Sequence, residues 1–173
     1  MYGVPLIIGG MISRGRLDMK ILVVFDSVWG NTEKIAKAIG TALEPRGEVK
    51  VVKADAAKPA DFGEKDLIIV GSATQKFNAL PAVKKLLASL PAGSLKGAKV
   101  AAFDTRLPVA EAKSRVLKFM AKNFGYAAEK LGKTLVAKGG EQAVAPEGFF
   151  VGGTEGPVKD GELERAVSWA GKL

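Results

Sequence analysis

The chain has 173 residues, 47% of them hydrophobic and 25% charged, which is typical of one ordinary globular domain. It contains neither Cys nor His, which excludes disulfides, thiolate chemistry and the usual neutral-pH base and metal ligand. The net charge of +8 is spread along the chain, without the runs of Lys and Arg that are typical of nucleic-acid-binding proteins. No apolar run is long enough to span a membrane. We therefore expect a cytoplasmic protein that holds no metal and relies on a bound cofactor for any redox chemistry.

Residues 1–19 precede the regular pattern and are interpreted as an N-terminal extension. The apolar stretch from Val4 to Ile8 comes before Arg14 and Arg16, the reverse of the order in a secretion signal. Two interpretations remain open: a dispensable extension, or an arm that packs on the domain or on a neighbouring subunit of a homo-oligomer.

From Lys20 onward the sequence predicts alternating strands and helices in a single domain over residues 20–173. The predicted strands cover residues 20–25, 48–53, 66–70, 98–103 and 134–137. Most are short and apolar, as expected of strands that are covered on both faces. This alternation indicates parallel βαβ units with helices on both sides of the sheet.

Helical spacing of apolar residues predicts the intervening helices. One begins near Asn31, one has Pro81 in its first turn, and one carries Val116, Met120, Phe124 and Ala127 on one face. The last helix is expected to start at Asp160 as N-cap. The segment between the second and third strands leaves room for a vestigial helix only. Residues 148–151 are predicted to form part of a split or extended fifth strand.

The loop after the first strand has the composition of a phosphate site. It contains Ser27, Asn31 and Thr32, which offer short side-chain donors, and Gly30, which allows the backbone to turn closely around a ligand. The loop ends at the start of a helix, where unpaired backbone N–H groups and the helix dipole favour an anion. The alternative, that these residues only cap the helix, remains open.

In an open parallel sheet, ligands bind beyond the carboxyl ends of the strands. This rule selects three loops, at residues 27–32, 71–78 and 104–108. The stretch from Val23 to Ala36 resembles the phosphate loop and first helix of the flavodoxin family, and the stretch from Gly71 to Asn78 resembles its first flavin-ring loop. The resemblance implies a flavodoxin-like three-layer α/β/α fold with a five-stranded parallel sheet of order 2-1-3-4-5.

The resemblance also implies an FMN site built from the three loops. The first loop would hold the phosphate, and the second and third would hold the isoalloxazine ring. The implied cofactor-binding residues are Ser27, Val28, Trp29, Gly30, Asn31 and Thr32, then Ala73, Thr74, Gln75, Lys76, Phe77 and Asn78, and finally Asp104, Thr105 and Arg106.

This chain departs from electron-carrier flavodoxins in two respects. It is basic where they are acidic, and its third loop has no aromatic residue to cover the ring. Only Phe77 and Trp29 are placed to stack on the ring, although Phe77 could instead belong to the core. Arg106 could lie over the ring or pair with Asp104.

Two functions remain open on the sequence alone. The first is FMN-dependent electron transfer, either as a carrier or as an NAD(P)H-dependent oxidoreductase that reduces quinone-type acceptors. The second is a cofactor-free binding or regulatory module of the same fold, since fold does not determine function. The sequence identifies neither the electron donor nor the redox partner, which is a protein or a small molecule.

Overall fold

The computed structural model describes residues 18–173. Six strands form one sheet: β1 (Met19–Asp26), β2 (Gly47–Lys53), β3 (Leu67–Ala73), β4 (Lys99–Arg106), β5 (Glu141–Gln142) and β6 (Glu147–Phe150). The predicted extension over residues 1–19 lies outside the described residues except for its last two, and Met19 already pairs with Gly47 at the start of β1.

All pairings between neighbouring strands of this sheet are parallel. The order is β2-β1-β3-β4-β5, with β6 also pairing with β4, so β5 and β6 share the fifth position. This confirms the predicted order 2-1-3-4-5. The fifth position is split, as expected, but its first piece is β5 rather than residues 134–137.

Within the described residues, five α-helices flank the sheet: α1 (Asn31–Leu43), α2 (Pro81–Ser89), α3 (Arg115–Phe124), α4 (Ala127–Ala137) and α5 (Glu162–Ala170). Buried side chains of α1 and α5 pack in one core cluster, and those of α2 and α4 in another. The two clusters lie on opposite faces of the sheet, because residues that alternate along β1 enter different clusters: Leu22 one and Val23 the other. The architecture is therefore the predicted three-layer α/β/α. The segment between β2 and β3 forms only a short 3₁₀ turn, Pro59–Phe62.

The prediction of a strand over residues 134–137 is wrong, because these residues form the last turn of α4. Leu131 and Leu135 of that helix are buried one turn apart. A short apolar run does not distinguish a strand from the end of a buried helix, and here the helical spacing decides.

The helix predicted through Val116, Met120, Phe124 and Ala127 is two helices. Gly125 has a φ of 65° and ends α3, and α4 then begins at Ala127. Ala127 is buried, whereas none of the residues of α3 is. The prediction that Asp160 caps the last helix is also wrong, since Gly161 occupies the N-cap position of α5.

Among residues 18–173, no helix is long and apolar enough to cross a membrane.

Candidate functional site

The register of the sheet brings four loops to one edge. Asp26, the last residue of β1, is paired with Ser72 of β3. Ser72 is paired with Asp104 of β4, which is paired with Gly148 of β6. These residues form a row across the sheet near the carboxyl ends of the strands, where an open parallel sheet binds its ligands.

The first loop leads directly from β1 into the N-terminus of α1. Gly30 is the N-cap residue and has a φ of 84°, a left-handed conformation in which a side chain is strained. No side chain caps the helix at this position. The first N–H groups of α1 therefore remain available to an anion that lies at the end of the helix.

Ser27 supplies the most informative atom of this loop. Within residues 18–173, its Oγ is the single buried side-chain polar atom that lacks a hydrogen-bond partner. A buried hydroxyl without a partner is costly, since native proteins satisfy nearly all such groups. Ser27 also lines the main cleft at this edge of the sheet. Its hydroxyl is thus positioned to donate to a ligand there.

Two further hydroxyls meet beneath the same loop. The Oγ1 atoms of Thr32 and Thr105 lie 2.8 Å apart, and both residues are buried. Each threonine has one hydroxyl proton, so one hydrogen bond between the two leaves a second proton free to donate elsewhere. Because both residues line the cleft, that proton is available to a ligand.

Asn31 connects the first loop to the loop at residues 152–157. Its Nδ2 donates to the carbonyl oxygen of Glu155 at 3.1 Å. Gly156 fits against the Asn31 amide so closely that a Cβ at this position would lie 2.5 Å from Asn31 Oδ1. Asn31 therefore positions a fourth wall of the cleft, to which Gly153 and Thr154 contribute.

The second loop is a tight turn with an unusual backbone. Gln75 and Asn78 exchange two backbone hydrogen bonds of 2.9 Å, and the two residues between them, Lys76 and Phe77, have φ values of 47° and 61°. Positive φ at both central positions is normally a property of Gly, Asn or Asp, and is costly for other residues. From α4, Lys130 holds the turn in place by donating to the carbonyl oxygen of Phe77 at 2.6 Å and to Asn78 Oδ1 at 3.0 Å.

The third loop is organised by a buried ion pair. Arg106 donates from Nε and Nη2 to the two carboxylate oxygens of Asp104, at 2.6 and 2.7 Å. Asp104 also accepts from the backbone N–H of Ala128 in the first turn of α4, at 2.8 Å. Burial raises the pKa of the Asp104 carboxyl, and the bonds from Arg106 and Ala128 oppose that shift. Of the two alternatives for Arg106, the structure shows pairing with Asp104.

The loops enclose a cleft of about 340 Å³, a size suited to a small-molecule cofactor. Most of the predicted site residues line it: Ser27, Val28, Trp29, Asn31, Thr32, Ala73, Thr74, Gln75, Lys76, Thr105 and Arg106. The remaining predicted residues, Gly30, Phe77, Asn78 and Asp104, shape the loops from outside the lining.

Sequence reasoning missed part of the site. Leu107, Val151, Gly153 and Thr154 also line the cleft. The position of the glycine-rich loop after β6, at the same edge of the sheet as the three selected loops, was the signal that could have identified the last two. Tyr126 was missed as well: its ring lies under the Arg106 guanidinium, 3.7 Å from the guanidinium carbon.

The fold is shared with many solved structures. Flavodoxin 1 from Bacillus cereus superposes with a TM-score of 0.66 over 88% of this chain and 95% of its own, at 20% identity. A flavodoxin from the domain Archaea gives 0.63 over 88% and 94%, at 24% identity. The rubredoxin oxygen:oxidoreductase of Desulfovibrio gigas gives 0.68 over 93% of this chain but 36% of its own, at 19% identity. At these identities the likeness concerns the fold.

No curated protein has a sequence that matches this chain. The flavodoxin family model, however, matches residues 23–106, which include the first two ligand loops and the start of the third. This chain thus has a flavodoxin-like fold, and residues 23–106 match the flavodoxin family. The cofactor of flavodoxin family proteins is FMN, and the family's general role is electron transfer through that flavin.

The residues of this flavodoxin-like domain fit FMN at the phosphate end. The unpartnered Ser27 Oγ, the shared threonine hydroxyls and the open N-terminus of α1 form a donor set that a phosphate satisfies. The ring end is less aromatic. Trp29 is 54% exposed and lines the cleft, whereas Phe77 leans against Tyr126 with ring centres 5.9 Å apart.

Proposed function

We propose that the cleft binds FMN, with the phosphate at the first loop, and that the protein uses the flavin to reduce small quinone-type acceptors. The observation that carries the proposal is the buried Ser27 hydroxyl, which has no partner among the described residues and lines the cleft. A phosphate oxygen at this position would satisfy it, and a charge-assisted hydrogen bond is stronger than one between neutral groups.

In this proposal each loop has a separate task. Ser27, the Thr32–Thr105 hydroxyl pair and the first N–H groups of α1 bind the phosphate. Thr74 and Gln75 form one side of the ring position, and Arg106 with Leu107 forms another. The backbone N–H of Thr74 donates to the carbonyl oxygen of Thr105 at 2.9 Å, which keeps these two sides at a fixed separation.

Bound FMN supplies the redox chemistry, and the protein orients the flavin and sets its electrostatic surroundings. Lys76 brings positive charge to the cleft, which favours the uptake of negative charge when electrons arrive. NAD(P)H and a reduced carrier protein are the two candidate donors. We also propose that the protein acts in the cytoplasm, as expected from the sequence.

The test compares FMN with riboflavin, which lacks the phosphate, in flavin-fluorescence titrations of the wild type and of Ser27→Ala. Loss of one charge-assisted bond of about 1.5–3 kcal/mol predicts at least about tenfold weaker FMN binding by the variant. Riboflavin binding should change little. Ser168→Ala, an exposed position on α5, is the matched control and should bind FMN as the wild type does.

An equal loss for both flavins in Ser27→Ala would mean that the hydroxyl supports the fold rather than the phosphate. A wild-type protein that is colourless after incubation with FMN and removal of the unbound flavin would contradict the proposal altogether.

A further inference from the structure

The connection between β4 and α4, residues 107–126, is an elaborate part of the ligand edge. It contains a 3₁₀ turn, Val109–Glu111, and the whole of α3. The connection begins at Leu107, a residue of the cleft, and ends at Tyr126, whose ring lies under Arg106.

This connection forms one wall of a second pocket, of about 280 Å³. The second pocket shares Thr74, Lys76, Arg106 and Leu107 with the proposed FMN cleft, so the two spaces adjoin. Its remaining lining is apolar or aromatic: Phe77, Pro108, Val109, Ala112, Leu117 and Tyr126. A pocket of this kind suits a molecule of one or two flat rings, with its polar atoms near the shared residues.

The two aromatic walls are held in fixed positions. The Tyr126 ring is covered by the Arg106 guanidinium, which is itself paired with Asp104. The Phe77 ring lies 5.9 Å from the Tyr126 ring at an interplanar angle of 54°. The carbonyl oxygen of Phe77 accepts from Lys130, which anchors the turn. Aromatic side chains held in this way can pack against a flat ligand at little entropic cost.

The backbone of Phe77 provides a second argument. Phe77 and Lys76 both have positive φ, which costs free energy in residues other than glycine and persists where the surroundings enforce it. Such strain is concentrated at ligand-binding positions. In this turn the strained backbone conformation places Lys76 at the junction of the two pockets and Phe77 in the wall of the second pocket.

We propose that the second pocket binds the electron acceptor, a planar aromatic molecule of the quinone class, beside the flavin. This inference rests on the proposed function. The apolar walls would bury the ring, and Lys76 would face a carbonyl oxygen, where negative charge develops during reduction. Bound reduced FMN would supply the two electrons and one of the two protons that convert the quinone to the hydroquinone, and water would supply the second proton when the reduced flavin is anionic. NAD(P)H or a reduced carrier protein restores the reduced flavin.

The test uses Leu117→Trp, which fills the second pocket from α3, and Val116→Trp as the matched control. Val116 is the preceding residue of the same helix, is 66% exposed and does not line the pocket. Each protein is first titrated with FMN. The FMN-loaded, oxidised proteins are then titrated with menadione by calorimetry, which measures binding without turnover.

We expect Leu117→Trp to bind menadione at least about tenfold more weakly than the wild type, with an FMN affinity within about twofold of it. Val116→Trp should match the wild type in both titrations. When the dithionite-reduced proteins are reoxidised by menadione, Leu117→Trp should need a higher menadione concentration for the half-maximal rate than the wild type or Val116→Trp.

Three results would overturn the inference, and they differ in what they leave standing. Equal menadione binding by both tryptophan variants, or no binding by the FMN-loaded wild type, rejects the acceptor pocket and leaves the FMN site intact. A parallel loss of FMN affinity in Leu117→Trp means that the flavin ring itself occupies the second pocket. Failure of the wild type to bind FMN rejects the proposed function and this inference together.

Discussion

Arg106 and Asp104 form an ion pair through two hydrogen bonds, of 2.6 and 2.7 Å, although they lie only two residues apart on β4. Residues two apart on a strand project from the same face. The pair is shielded from water: Asp104 is fully buried, and 13% of the Arg106 side chain is exposed. Arg106 thereby joins β4, the N-terminus of α4 and the ring of Tyr126 in one polar network.

Replacing Arg106 should therefore destabilise the fold more than it disturbs the surface of the cleft. In Arg106→Met, the buried carboxylate of Asp104 loses its partner, and removal of one member of a buried pair costs about 3–5 kcal/mol. Urea unfolding of the flavin-free protein measures this cost. Lys76→Met, at an exposed position of the same cleft, should change the free energy of unfolding by less than about 1 kcal/mol. The double variant Asp104→Asn/Arg106→Met should recover part of the loss, and a double variant less stable than Arg106→Met would refute this account.

The same ion pair reduces the effect that Arg106 is expected to have on the reduction potential of bound FMN. Arg106 is neutralised by Asp104 and also lies 3.7 Å from Glu129, so its charge acts weakly at a distance. Lys76 should therefore have the larger effect on the reduction potential of bound FMN.

Lys76→Ala should make the two-electron potential more negative, because a positive charge near the ring stabilises the reduced, more negative flavin. The effect corresponds to at most about 1 kcal/mol, since the side chain is exposed, and it should shrink as salt is added. Redox titration at low and high ionic strength measures both. Lys84→Ala, on the exposed side of α2, is the control for net charge, and an equal shift in that variant would show that Lys76 has no local role.

Much of the fold could be predicted because its central strands are buried on both faces. Strands such as β1 and β3 are continuous apolar runs flanked by polar loops, and α1 and α2 have clear helical spacing. The first and second ligand loops follow directly from such strands. Their place at one edge of the sheet follows from the parallel order alone.

The errors occurred where local pattern and tertiary structure disagree. The apolar residues 134–137 have strand-like composition, but Leu131 and Leu135 bury the same helical face one turn apart. The break between α3 and α4 depends on the positive φ of Gly125, which cannot be predicted from a single glycine in the sequence. Contacts between residues far apart in the sequence could not be predicted for a different reason. Asn31 donates a hydrogen bond to Glu155, 124 residues away, and no local pattern in either segment indicates the other.

The start of the domain can be tested by truncation. Met19 is the first residue of β1 and pairs with Gly47, and the N–H of Lys20 donates to Asp66 Oδ2 at 2.9 Å. A chain that begins at Met19 keeps these contacts and should unfold cooperatively with the FMN affinity of the full chain. Thermal melts and fluorescence titration check both properties. A chain that begins at Val23, which loses the first half of β1, should fail to fold. Aggregation of the Met19 chain would instead favour an arm that packs on the domain or on a second subunit.

Acid should weaken the attachment of α5 through Glu162. Its carboxylate accepts from the N–H of Phe150 at 2.7 Å and from Arg165 at 2.6 Å. Burial raises the pKa of Glu162, but these bonds outweigh it and hold the pKa below the ordinary value of 4.5. A carboxyl whose pKa is lower in the folded state stabilises the fold above the unfolded-state pKa, and this contribution is lost as the pH falls through the folded-state pKa.

Glu162→Gln should accordingly be less stable than the wild type by about 1.5–3 kcal/mol near neutral pH, the value of hydrogen bonds to a charged group. The difference should begin to shrink as the pH falls below about 4.5, where the carboxyl of the unfolded state takes up a proton, and it should vanish once the pH is below the lower folded-state pKa. Urea unfolding at a series of pH values measures the gap between the two proteins. Glu164→Gln makes the same charge change at an exposed position of the same helix and should track the wild type throughout. A gap between Glu162→Gln and the wild type that stays constant down to about pH 3 would mean that packing of the side chain, rather than its charge, holds β6 to α5.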